Sequence, residues 1–157
     1  MTIEKENFLR TKLVPGLQKL DPATPPNWGK MNLHQMVEHL VDVVKVANGK
    51  YKMQLVTPVE KLPFLREFLM SEKPFRENFK SPVLPEEPLA LRTNTIEAAI
   101  GRLQEEIIEF FEIFEKTPHL KTMHPVFGEL DFNENVQQLY KHALHHLKQF
   151  GAGPLSS

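Results

Sequence analysis

Apolar positions recur at steps of three and four along several stretches of the chain, the mark of amphipathic helices. Ile3 to Leu13 forms the first stretch; Pro15-Gly16 is expected to break or kink it, with a last turn reaching Leu20. Asp21-Pro22-Ala23-Thr24-Pro25-Pro26-Asn27 then reads as a loop. The second helix opens on Asn32, a good capping residue, and carries Leu33, Met36, Val37, Leu40, Val41 and Val44 to a stop at Asn48-Gly49. The third starts with the box Asn94-Thr95-Ile96-Glu97 and presents Ile100, Leu103, Ile107, Phe110, Phe111 and Phe114 before Thr117-Pro118. The fourth begins near Asp131, with Glu134 three residues on, and its stripe runs from Val136 through Leu139, Tyr140, Ala143 and Leu147 to Phe150, where Gly151 stops it.

Between the second and third helices, Tyr51 to Arg92 carries Pro58, Pro63, Pro74, Pro82, Pro85 and Pro88, which excludes a long helix or a central strand. One or two short turns fit there, for example Phe64 to Met70, and the segment reads as a crossover covering one end of a bundle. Strand signals are nearly absent. The expected class is all-α: a four-helix bundle in a single domain, residues 1–157, with a long Pro-rich connection between helices 2 and 3.

Composition narrows the chemistry. Lys plus Arg is 19 and Asp plus Glu is 20, so no general field favours nucleic acid or an anionic membrane. No stretch has the ~20 continuous apolar residues of a membrane span. The polar, acidic start Met1-Thr2-Ile3-Glu4-Lys5-Glu6 does not read as an export signal, which makes the cytoplasm the expected location. The chain has no cysteine, so disulfides, thiolate nucleophiles and Cys-based zinc sites are excluded. Any metal ligands are therefore His, carboxylate or water.

Seven histidines are present, and helical geometry sorts some of them. At ~100° per residue, His146 lies about 80° from the apolar direction of the fourth helix and His142 about 120° to the same side. The two are one turn apart, close enough for both imidazoles to meet one ion. His145 falls about 180° away and is expected in solvent. On the second helix His39 lies about 120° from the apolar centre and His34 about 100° to the other side. If those helices are neighbours, His39 faces the pair. Three neutral imidazoles with one or two waters make an open site for zinc, nickel or ferrous iron. Two histidines at i, i+4 equally fit a plain polar flank, and the pattern alone leaves both readings open.

The segment Trp28-Gly29-Lys30-Met31-Asn32-Leu33-His34-Gln35-Met36-Val37-Glu38-His39-Leu40 resembles the start of the second helix in the DinB/YfiT-like superfamily. His142-Ala143-Leu144-His145-His146-Leu147-Lys148-Gln149-Phe150 resembles its last-helix motif, His-x-x-His-His-x-x-Gln. With the turn His124-Pro125-Val126-Phe127-Gly128, these segments are most similar to the uncharacterised DUF1569 family. The resemblance implies a four-helix bundle of a metalloenzyme superfamily with a divalent ion (Zn, Ni or Fe) on His39, His142 and His146. Many relatives carry Arg-Gly where this chain has Leu147-Lys148, so any role of that Arg does not transfer. The superfamily includes transferases and isomerases that use low-molecular-weight thiols, and members with no assigned reaction.

Other candidates carry two readings each. His124 is expected to serve its turn, with its ring on a nearby carbonyl; the alternative is a fourth ligand or a proton carrier at the site mouth. His34 either supports a ligand from behind or acts as a general base, or it makes cap contacts near the helix start. Gln149 orients a ligand imidazole or a water, or makes a plain interhelical bond. Trp28 is expected to pack where the second helix begins. Glu105, Glu106, Glu109, Glu112 and Glu115 read as a solvated face. Two function classes follow: a metal-dependent enzyme of thiol-transferase or hydrolase type acting on a small molecule, or a non-catalytic binding or stress-associated module whose triad is structural or empty. A two-fold homodimer through bundle faces is a further expectation.

Overall fold

The computed structural model describes residues 2–78, 84–85 and 87–152. Six α-helices and one short hairpin make up the regular structure of these residues, which is mostly helical. The first rod is not broken at Pro15-Gly16. Helix α1 (Thr2–Asn7) passes into a π-helical stretch, Phe8–Lys12, and then into α2 (Leu13–Gln18). The interruption lies upstream of the proline, where Leu13 N–H donates to Phe8 O. Pro15 enters as the third residue of α2, so the bond it cannot make would fall in that widened turn.

Helix α3 (Leu33–Ala47) opens where its cap predicts. Asn32 Oδ1 accepts from Gln35 N–H at 2.8 Å, and Gln35 Oε1 accepts from Asn32 N–H at 2.9 Å. Gly49, at φ +81°, follows its end. A 3-10 turn, Val59–Lys61, then leads into α4 (Leu62–Met70), close to the short turn expected there. Residues 79–83, which include Pro82, and residue 86 lie outside the described part of the connection.

Helix α5 (Ile96–Lys116) is capped by the Thr95 hydroxyl, which accepts from Ala98 N–H at 3.0 Å. The third helical residue is thus Ala98, and Glu97 is not the reciprocal partner of a box. Two three-residue strands absent from the expected class follow, β1 (Thr122–His124) and β2 (Gly128–Leu130). They pair antiparallel, with Thr122 opposite Leu130 and His124 opposite Gly128. Three residues are too few to show a period-two pattern, and Gly128 at φ +83° supplies the turn. Helix α6 (Phe132–Gln149) has the expected cap: Glu134 N–H donates to Asp131 Oδ1 at 2.9 Å, and Asp131 N–H donates to Glu134 Oε1 at 3.0 Å.

The α1–α2 rod, α3, α5 and α6 share one apolar core, with Leu17, Leu33, Met36, Leu103, Phe110, Val136 and Leu147 fully enclosed. Helix α3 packs along α5 and against α6, while α1 lies on α6 and α2 on α5. A smaller cluster, Leu69, Phe127 and Leu130 with Phe68 and Phe75, sits beneath α4. No helix among the described residues is long and apolar enough to cross a membrane. The contact of α3 with α6 is the one that positions the site.

Candidate metal centre

His39 projects from the middle of α3; His142 and His146 project from consecutive turns of α6. The packing of these two helices brings the three rings together. His142 Nε2 lies 3.1 Å from His39 Nε2 and 2.9 Å from His146 Nε2. One nitrogen from each ring lies within 4.8 Å of the other two, an arrangement that can hold a metal ion. A tetrahedral ion with Zn–N bonds of about 2.0–2.1 Å separates its nitrogens by about 3.3–3.4 Å. The observed spacings are within a few tenths of an ångström of that. The donor set, three imidazole nitrogens and no thiolate, suits zinc, nickel or iron.

The rings are held as neutral bases. Loss of hydration pushes His39 down to about 4. His142 and His146 fall well below the usual imidazole range, first through burial and then through the neighbouring rings. Neutral imidazoles keep the lone pair that a metal requires.

Gln149 orients one of them. Its Nε2 donates to Trp28 O at 2.8 Å, which directs its Oε1 toward His146 Nδ1, also at 2.8 Å. An amide oxygen only accepts, so His146 carries its proton on Nδ1 and turns a bare Nε2 into the cluster. Of the two readings of Gln149, the imidazole-orienting one matches this geometry. The Trp28 ring lies against His145 of α6, and its carbonyl supplies the anchor.

His124 and His34 are not members of the three-nitrogen cluster. His124 Nδ1 accepts from Val126 N–H at 3.0 Å and Phe127 N–H at 3.3 Å. It is a turn histidine as expected, but its ring binds amides rather than a carbonyl. His34 Nε2 lies 2.7 Å from Thr93 Oγ1 and 3.7 Å from Glu38 Oε2. Its partners join α3 to the chain leading into α5.

His145 is not in open solvent. Its ring centroid is 5.3 Å from Trp28, 5.0 Å from His146 and 6.4 Å from Phe75. Burial lowers its pKa, opposed by a hydrogen bond to the Phe75 backbone. The helical angle put His145 away from the core correctly; what it missed is that the connection folds back over that face. Phe75 also lies 5.8 Å from His142, edge to face. Lys148 pairs with Glu77, and Lys30 with Glu87, so described parts of the connection are tied to the segments flanking the triad.

Sequence reasoning also passed over Gln138, Glu38 and Lys141. Gln138 Nε2 lies 3.1 Å from His142 Nδ1, one helical turn earlier, a spacing that could have singled it out. Buried Glu38 accepts from the amides of Arg92 and Thr93. Buried Lys141 donates to the carbonyls of Phe68, Leu69 and Ser71. No local pattern announces those long-range partners.

Comparison of the chain with family models, curated proteins and solved structures gave no match.

Proposed function

We propose that the protein is a metal-binding four-helix bundle of the DinB/YfiT-like kind, with a divalent ion held by His39, His142 and His146 and used in a metal-dependent transfer or hydrolysis reaction. The observation that carries this reading is the convergence of three neutral ring nitrogens on one point, 3.1 and 2.9 Å apart around His142. Bare nitrogens aimed at each other repel unless a proton or a cation lies between them. Among the described residues, ligands come from α3 and α6 alone, which leaves coordination positions for a small molecule.

When bound, such an ion lowers the pKa of a coordinated water or thiol and so supplies a nucleophile at neutral pH. The chain's own residues do the rest. Gln149 holds His146 in its ligand orientation from the anchor at Trp28. Phe75 and Trp28 supply apolar surface against His145. Such surface favours a substrate with an apolar portion, and a low-molecular-weight thiol is the proposed co-substrate.

A non-catalytic reading is favoured by a different observation. Glu38 and Lys141, charged neighbours in sequence of His39 and His142, are both committed to backbone partners. Neither is free to act as acid or base, so a clamp between two helices accounts for the same cluster.

Elemental analysis of untagged protein beside a His142→Ala variant tests the metal. The expected result is close to one equivalent of zinc, nickel or iron in the parent chain and loss in the variant. Equal content in both rejects the site. Consumption of small thiols in the presence of electrophiles then separates enzyme from clamp.

A further inference from the structure

Gln138 faces the central ring of the triad with the wrong end of its amide for metal binding. The side chain is 1% exposed, and its Nε2 lies 3.1 Å from His142 Nδ1. An amide nitrogen only donates, so Nδ1 must accept and the neutral His142 ring carries its proton on Nε2. That proton has a receiver: His146 Nε2, 2.9 Å away, is bare because His146 keeps its own proton on Nδ1, where it donates to Gln149 Oε1. The chain Gln138–His142–His146–Gln149 is therefore a fully ordered run of donors and acceptors with no cation in it. His39 Nε2, 3.1 Å from His142 Nε2, lies beside the same proton.

A metal changes what His142 needs. Ligation through Nε2 requires that nitrogen bare, and the neutral ring then holds its proton on Nδ1. An amide nitrogen cannot receive that proton, whereas an amide oxygen can. Turning the Gln138 amide by 180° exchanges one for the other in nearly the same volume. His146 needs no such change, since the Trp28 carbonyl already fixes Gln149 in the ligand-compatible sense.

We propose that Gln138 is a positioning residue that selects between two states of the triad: amide nitrogen on His142 Nδ1 holds a metal-free, hydrogen-bonded cluster, and amide oxygen on the same atom holds His142 as a ligand. Between the states one proton leaves His142 Nε2 and one arrives at Nδ1, exchanged with water, with no change of ring charge. This rests on the metal reading and deepens it. It makes metal uptake a coupled event in which a buried amide reorients as the ion enters.

The test uses the full chain with 15N-labelled histidine, metal-free and with added zinc. Long-range proton–nitrogen NMR reports which ring nitrogen of His142 is protonated, and competition with a chromogenic chelator reports affinity. Expected are a proton on His142 Nε2 without metal and on Nδ1 with zinc. Gln138→Met, which removes donor and acceptor at similar volume, is expected to weaken zinc binding about 10- to 100-fold. Gln138→Glu, which only accepts when ionised, is expected to bind zinc at least as tightly as the parent chain. A metal-free parent with its His142 proton already on Nδ1 overturns the proposal, as does a Gln138→Met chain within twofold of the parent. Should Gln138→Met fail to fold, the parent spectrum and Gln138→Glu decide, and weaker zinc binding by Gln138→Glu overturns it. A parent chain that takes up no zinc, nickel or iron rejects the metal reading itself. The metal-free spectrum still tests the Gln138–His142 pairing in that event.

Discussion

Gly29 and Gln149 approach so closely that a Cβ on Gly29 would stand 3.0 Å from the Gln149 amide nitrogen. Gly29 also sits at φ +78°, where an L side chain is strained. The same amide is pinned between Trp28 O and His146, so it has nowhere to retreat without releasing one of them. Gly29→Ala is expected to cost about 1–2 kcal/mol of stability and to weaken zinc binding roughly tenfold. Urea unfolding and chelator competition measure the two effects. Unchanged affinity would show that Gln149 does not orient His146.

Lys141 is 5% exposed, and its ammonium serves the carbonyls that end α4: Phe68 at 2.8 Å, Leu69 at 3.2 Å and Ser71 at 3.2 Å. Burial pushes its pKa down to about 8, which leaves it mainly protonated at pH 7. Lys141→Met keeps the apolar stem and removes the three donors. The expected loss is about 2–3 kcal/mol, since the carbonyls at the helix end lose a charged partner. Amide exchange should accelerate in α4, with zinc affinity retained. A stability change below measurement error would reduce Lys141 to a bystander.

Glu38 ties α3 to the chain entering α5. Burial pushes its carboxyl up, but hydrogen bonds from the Thr93 hydroxyl and from the Arg92 and Thr93 amides outweigh this and hold it below the usual range. Glu38→Gln replaces charge-assisted bonds with neutral ones, at an expected cost of about 1–2 kcal/mol. Hydrogen exchange at Arg92 and Thr93 should rise together. Protection unchanged at both amides would contradict the assignment.

His124 provides a pH test at a ring outside the three-nitrogen cluster. Burial holds its pKa at about 4, against 6.5 for an unperturbed imidazole. Between those values the unfolded chain binds a proton that the folded chain refuses, so stability falls as pH drops from about 6.5 toward 4. Above that window His124 is neutral in both states and contributes no slope. His124→Asn can still accept from the turn amides and does not titrate. In chelator, the parent chain is expected to lose about 1–2 kcal/mol more than the variant between pH 7 and pH 5. Parallel pH profiles would disprove the assignment.

How far the chain could be read in advance depended on the range of the interaction. The Asn32 cap and the Asp131–Glu134 box are local signals, and both were legible, although Gln35 as the partner of Asn32 was not. The one-turn spacing of His142 and His146 was legible too. That His39 meets them depends on α3 lying against α6, which residue spacing within either helix cannot reveal; it entered as a condition of the angular argument and as an implication of the resemblance. The hairpin at Thr122–Leu130 escaped because its strands are three residues long. Phe75 escaped because a Pro-rich connection carries no period that says where it returns. His145 was misplaced for the same reason, as the residue that covers it is 70 positions away in the chain.

The five-residue step between the buried pairs Phe8–Leu9 and Leu13–Val14 explains the π-helical turn in the first rod. In an uninterrupted α-helix a step of five swings about 140° off the starting direction, whereas a step of four nearly restores it. The wide turn absorbs one residue too many, and Arg10 and Thr11 bulge into solvent there. A chain shortened by one at Thr11 would stack the same two pairs in ordinary helical register. The first rod thus keeps one inward face through a turn that holds one residue more than a regular helix needs.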